Sequence, residues 1–289
     1  MFKDIFKKTV ILARMVKIEH SVFALPFAYI GLFWAAGGWP GLAKFLALTL
    51  AMVAVRSFAM AFNRLADLKF DAQNERTRTR PLVTGEISIK ATLVFIFFCA
   101  LIFVGSCALL NRLCLYLSPI ALAWSAFYSY SKRFTWLCHY ILGSVLGLAP
   151  IAGWIAYRPE FNMTPLLVAL GVLFWVAGFD ILYAIQDVDF DKSRNLRSIP
   201  ARFGIEAAFG YSAFSHVNTV IFFALAGLAY GAQWIYFVAW GVVSLILVVE
   251  HLIISPDDLS RINISFFTLN GLVSMVLFAG VLGDLFFKI

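Results

Sequence analysis

The stretch Asn63-Arg64-Leu65-Ala66-Asp67-Leu68-Lys69-Phe70-Asp71 closes an apolar run that begins near residue 43. Its template is a polar residue with Asp four and eight positions later. It returns in Tyr183-Ala184-Ile185-Gln186-Asp187-Val188-Asp189-Phe190-Asp191. Asp67 and Asp187 lie 120 positions apart, as do Asp71 and Asp191, in a chain with only 16 acidic residues among 289. Each copy ends a run long enough to span a bilayer, and this decides the fold: membrane-crossing helices that carry their acids at one end.

The rest of the composition agrees. The chain is 62% hydrophobic and 13% charged, with a mean hydropathy of +0.87, where soluble domains run near 25% charged. A β-barrel would show short alternating segments instead. The expected fold is all-α and polytopic, with nine spans near 21–38, 43–62, 91–109, 113–130, 137–156, 165–185, 207–229, 233–251 and 264–285. The joins 39–42, 110–112 and 230–232 are short and make helical hairpins. The connections 63–90 and 186–206 are long and polar, and each holds one acidic cluster. No polar linker divides the chain, so 1–289 reads as one domain. Residues 1–20 supply an interfacial segment, amphipathic over 2–17.

With the N-terminus inside, eighteen of the 23 Lys and Arg fall in inner segments and four in outer ones; Arg56 lies deep in a span. This bias puts both acidic clusters on the cytoplasmic side of an inner membrane. It also accounts for the net charge of +7 without a nucleic-acid partner, and no obligate protein partner is expected. The four cysteines form no C-x-x-C pair, which points to neither a metal nor a disulfide framework.

Residues four apart share a helix face, so Asn63, Asp67 and Asp71 form one stripe and Tyr183, Asp187 and Asp191 another. Four gathered carboxylates repel unless cations join them. Mg²⁺ suits best, a hard ion that bridges carboxylates to phosphates. Arg64, Lys69, Arg76, Arg78, Arg80, Lys132, Arg133, Lys192, Arg194 and Arg197 surround the acids. Acids for a metal and bases for phosphate suggest a diphosphate site. Arg56 lies seven residues before Asn63, and Asp180 seven before Asp187, each extending its stripe two turns deeper. A charge at that depth is paired or functional; an ion pair between Arg56 and Asp180 is the alternative to a catalytic role. His139, His216 and His251 read as packing residues, and Glu250 with His251 as a buried polar pair. Gly143 and Gly147 mark close helix packing, and Asn263 and Asn270 interhelical hydrogen bonds.

The chain resembles the UbiA superfamily of intramembrane prenyltransferases. Asn63-x-x-x-Asp67-x-x-x-Asp71 and Asp187-x-x-x-Asp191 match its two aspartate-rich motifs. The likeness continues through Arg76-Thr77-x-x-Arg80-Pro81-Leu82-x-x-Gly85, Tyr183-Ala184-x-Gln186-Asp187 and Ser131-Lys132-Arg133. The run 56–64 and the tail 255–260 are similar to the 4-hydroxybenzoate polyprenyltransferase-like branch, which includes enzymes of menaquinone synthesis. The departures are Arg64, where many relatives place Asp, and Lys17, where they usually place Arg.

The resemblance implies nine helices around a central cavity, capped by the two cytoplasmic connections. It implies a polyprenyl diphosphate donor bound through Mg²⁺ to Asp67, Asp71, Asp187 and Asp191. Arg56, Lys132, Asn63, Arg64, Lys17 and Arg197 would contact the diphosphate side, with Asp180 and Tyr183 near the reacting carbon. The acceptor would be a small aromatic acid, 4-hydroxybenzoate or a dihydroxynaphthoate. Intramembrane charge and an internal repeat also occur in transporters. An odd number of spans and acids on one membrane side point away from that reading.

Overall fold

The computed structural model describes residues 10–12, 14–16, 21–256, 258–259, 261–262 and 268–287. The described residues are helical apart from the connections. The helices are α1 (Ser21–Ala36), α2 (Leu42–Ala66), α3 (Leu68–Asp71), α4 (Ile89–Leu110), α5 (Arg112–Ser131), α6 (Cys138–Tyr157), α7 (Met163–Ala184), α8 (Val188–Ser193), α9 (Ile199–Phe203), α10 (Ile205–Tyr230), α11 (Trp234–Ile253) and α12 (Asn270–Phe286). A 3-10 turn, Ile185–Asp187, joins α7 to α8.

Among the described residues, seven helical segments are long and apolar enough to cross a membrane, and two shorter apolar helices occupy the first and last predicted spans. The protein is therefore an integral membrane protein. Large apolar side chains left exposed on these helices, such as Phe97, Phe98, Leu101, Ile120, Val238 and Leu245, suit a lipid surrounding rather than water.

Backbone contacts divide the chain into two compact units, one of residues up to Ser21 with Leu46–Tyr130, the other of Val22–Phe45 with Ser131–Ile289. In the first, Met15 and Val16 pack with Ala61, Leu82 and Ile87. Leu82 and Ile87 belong to the connection after α3, so apolar anchors hold this polar loop down. Arg14 pairs with Glu86 on the same loop. Ser88 ends it as the N-cap of α4, accepting the Ala91 N–H at 3.2 Å; such a cap satisfies an otherwise orphaned donor. Lys17, His20, Asn263 and most of the amphipathic segment 2–17 lie outside the described residues.

The second unit is built on glycine contacts. A Cβ on Gly143 of α6 would sit 2.1 Å from the Leu173 carbonyl oxygen of α7, and one on Gly147 would sit 2.8 Å from that of Ala169. The backbones meet there because nothing separates them, as the G-x-x-x-G spacing predicts. On another face of α6, Gly153 leaves the same room for the Ala28 carbonyl of α1. Gly143→Val is expected to force α6 and α7 apart and cost about 1–3 kcal/mol as overpacking. Gly105→Val is the control, since nothing lies within 4 Å of its added Cβ. Melting temperatures of the two variants in detergent check this, and equal values would refute it.

A buried polar network crosses this unit. Trp175 Nε1 donates to Asn270 Oδ1 at 2.7 Å, and Asn270 Nδ2 donates to Glu250 Oε1 at 3.2 Å. Asn270 thus makes the interhelical bonds its position implied. The expected Glu250–His251 pair is corrected: His251 Nε2 lies 3.0 Å from His216 Nδ1, while Glu250 takes Asn270. Adjacent helical residues do not face each other, so the two side chains do not pair directly but both lie near His216 Nδ1, His251 at 3.0 Å and Glu250 at 3.9 Å.

Candidate active site

The first acidic set lies in the first unit. The stripe was expected on a continuous helix; instead α2 ends at Ala66 and α3 starts at Leu68. Asp67 stands at the break with φ −94° and ψ 7°, in the sparsely populated bridge region where many active-site residues sit. Two bonds carry the stripe across the break: Asp67 N–H to Asn63 O at 2.9 Å and Asp71 N–H to Asp67 O at 2.8 Å. Asn63 Nδ2 donates to Asp67 Oδ2 at 3.0 Å, while its Oδ1 accepts from Arg64 Nη1 at 3.3 Å. Asn63 and Arg64 therefore steer the Asp67 carboxylate. Asp71 is buried, and Arg80 Nη1 reaches its Oδ2 at 2.5 Å. Thr77 Oγ1 donates to the Asp71 carbonyl at 3.0 Å, folding the loop so that Arg80 returns to the acid nine residues before it. Arg56 lies half-buried within α2.

The second set, in the second unit, repeats this backbone. Asp187 precedes α8 at φ −105° and ψ 8°, nearly the conformation of Asp67. The 120-residue repeat is thus a repeat of local conformation as well as of letters. Asp191 is 1% exposed. Its Oδ2 receives Lys132 Nζ at 2.8 Å and Ser198 Oγ at 2.6 Å. Ser198 gets there because Asn195 takes φ 53°, a left-handed turn that asparagine tolerates. Leu196 N–H then closes on the Asp191 carbonyl at 2.9 Å.

Burial alone would push the Lys132 ammonium toward its neutral form, but the charge and hydrogen bond of Asp191, with Asp187 beyond, outweigh it and raise its pKa. Lys132 thus stays a cation. Arg197 Nη1 donates to the Phe134 carbonyl at 2.7 Å and its N–H to the Lys132 carbonyl at 2.8 Å. It ties two connections together.

Deeper along α7, Asp180 Oδ2 lies 2.7 Å from Nδ1 of the buried His139. Tyr183, half-buried, sits one turn beyond on the same helix. His139 was expected to be a packing residue. The missed signal is its spacing: His139, Gly143 and Gly147 fall on one face, and the two glycines already aim that face at α7.

Among the described residues no three carboxylate, histidine or cysteine side chains converge on one point. The observation that bears on a cation is within the second set: Asp191 Oδ1 is buried with no hydrogen-bond partner. Such an orphaned anionic oxygen is costly, and its chemistry is that of a Mg²⁺ ligand.

Comparison with known proteins adds to this. The family described as UbiA prenyltransferase matches residues 24–272. The 4-hydroxybenzoate octaprenyltransferase of Methylobacillus flagellatus is 30% identical over 263 residues, covering 89% of this chain and 86% of that one. The enzyme of the same name from Aromatoleum aromaticum is 30% identical over 276 residues, covering 94% and 92%. Among solved structures, a UbiA homologue from Aeropyrum pernix superposes with a TM-score of 0.84 at 36% identity, covering 92% of this chain and 98% of that one. A UbiA homologue from Archaeoglobus fulgidus, bound to GPP and Mg²⁺, shares the fold with a TM-score of 0.67 at 22% identity, covering 94% and 99%.

Proposed function

The chain belongs to the UbiA prenyltransferase family, and from that premise we propose that it moves a polyprenyl group from polyprenyl diphosphate to a small aromatic acid, for quinone synthesis. The carrying observation is the repeated acidic set, broken at equivalent aspartates in matching conformations. The relatives named 4-hydroxybenzoate octaprenyltransferases support the acceptor class. The whole chain acts as one domain, in the inner membrane, with the acids on the cytoplasmic side, as the bias in Lys and Arg placement favours.

Asp67 and Asp71 in one set, and Asp187 and Asp191 in the other, would hold Mg²⁺, which would supply positive charge against the leaving diphosphate. Asn63 and Arg64 fix Asp67. Arg56, Lys132 and Arg80 offer cationic donors to diphosphate oxygens, together with Lys17. As the allylic C–O bond weakens, positive charge grows on the prenyl carbon. Asp180 and Tyr183 lie on the inward side of Asp187. They orient the acceptor and steady that charge, Tyr183 through its ring face. Apolar walls keep out water, which would otherwise capture the cation.

The test uses purified protein in nanodiscs with Mg²⁺, a polyprenyl diphosphate and either 4-hydroxybenzoate or 1,4-dihydroxy-2-naphthoate. Diphosphate release with a prenylated acid detected by mass spectrometry is expected, and a chelator should stop it. No product from either acid would overturn the reading.

A further inference from the structure

Asp180 and Asp191 lie eleven residues apart, on either side of the break at Asp187, yet one short path of hydrogen bonds joins them. Asp180 Oδ2 lies 2.7 Å from His139 Nδ1, and His139 Nε2 accepts the backbone N–H of Ile199 at 3.3 Å. The preceding residue, Ser198, donates its hydroxyl to Asp191 Oδ2. A second grip comes from Cys138, whose thiol reaches the Arg197 carbonyl at 3.8 Å. Two consecutive residues at the start of α6 thus hold the segment 197–199, and one of them also holds Asp180.

The bonds dictate the tautomer. The Ile199 N–H can only donate, so Nε2 must offer a lone pair. The ring proton then sits on Nδ1 and points at Asp180, which accepts as a carboxylate. A buried imidazole with both nitrogens engaged has one orientation, and it passes that order to its partner, as a histidine or carboxylate behind a metal ligand does. The ring is also anchored from its own helix, because Gly143 and Gly147 fix the spacing of α6 against α7.

We propose that His139 is a positioning residue of the transferase: as a neutral Nδ1–H imidazole it aims the Asp180 carboxylate and couples it to the segment that holds Asp191. This rests on the reading above, in which Asp180 faces the acceptor. The coupling lets the acid near the reacting carbon and the acid near the leaving group keep one register. A misplacement of about 1 Å can cost on the order of a hundredfold in rate.

The experiment compares His139→Leu and His139→Gln in nanodiscs. His139→Leu should lower kcat roughly 30- to 100-fold with the donor KM close to that of the unaltered protein, and should also lower the melting temperature, because the Ile199 N–H loses its acceptor. His139→Gln, whose amide can still donate to Asp180, should recover most of that loss. A Leu variant with unaltered kcat would overturn the proposal. So would a loss that follows donor binding and melting temperature together with no rescue by Gln.

A second measurement needs no turnover. In ¹⁵N-histidine spectra, the His139 resonances, identified by their disappearance in His139→Gln, should show a protonated Nδ1. They should move in Asp180→Leu and stay put in Asp67→Ala. An Nε2–H tautomer, or no response to Asp180→Leu, overturns the proposal even if the chain accepts no aromatic acid. Absence of product with the expected spectra would instead count against the functional reading alone.

Discussion

Asp67→Ala and Asp187→Ala are each expected to reduce diphosphate release by at least about a thousandfold, a barrier increase of about 4 kcal/mol, while the protein stays folded. The two residues occupy the same place in the two acidic sets, with φ and ψ agreeing within about ten degrees. Neither side chain caps the short helix it precedes, so removing it leaves the local turn intact. Among its contacts Asp67 loses the bond from Asn63, worth about 1 kcal/mol net. The activity loss should be far larger, because fixed charge at a developing diphosphate supplies several kcal/mol. Diphosphate release, Mg²⁺ binding by calorimetry and melting temperature should be measured on each variant. Full turnover by both would end the assignment of these carboxylates to a metal. Unfolding of both would make them structural.

Much of this arrangement was legible in the letters. The four-residue spacing of the acids and the bias of basic residues toward one side are properties of sequence, and the structure keeps the first of them in the bonds from Asn63 to Asp67 to Asp71. The break at each central aspartate was not legible. Helical spacing carries Asn63 to Asp67 to Asp71 on one face, and the i to i+4 bonds still do so, so nothing in the pattern signals a bridge-region residue between two helices. Partners supplied from afar were equally hidden. Ser198 reaches Asp191 only because Asn195 adopts a left-handed conformation. Arg80 reaches Asp71 through a loop shaped by Thr77. Each depends on loop geometry, which periodicity does not encode. His139 differs, because its spacing from Gly143 and Gly147 was enough to place it against α7. A histidine at the mouth of a span carries no metal spacing of its own, and it was read as packing for that reason.

The buried pair of Lys132 and Asp191 carries the other large expectation, and here stability and activity should part. Asp191 is 1% exposed, and the Lys132 side chain keeps 32% of its surface. Asp191→Leu leaves the Lys132 ammonium without its paired carboxylate, and also leaves the Ser198 hydroxyl without its acceptor. Breaking a buried pair from one side costs about 3–5 kcal/mol, and the partial exposure of Lys132 brings this to roughly 2–3 kcal/mol by solvent screening. Lys132→Met strands the carboxylate instead, and Asp191 Oδ1 already lacks a hydrogen-bond donor, so its cost should be at least as large. The double variant removes both charges. Because replacing a whole buried pair by apolar side chains is often neutral, its melting temperature should lie above that of either single variant. Its transferase activity should nonetheless stay absent, since it lacks both a carboxylate of the acidic set and a cation beside it. A double variant destabilised by the sum of the two singles would mean that Lys132 and Asp191 act independently. A stable double variant that still turns over would show that Asp191 belongs to the fold alone.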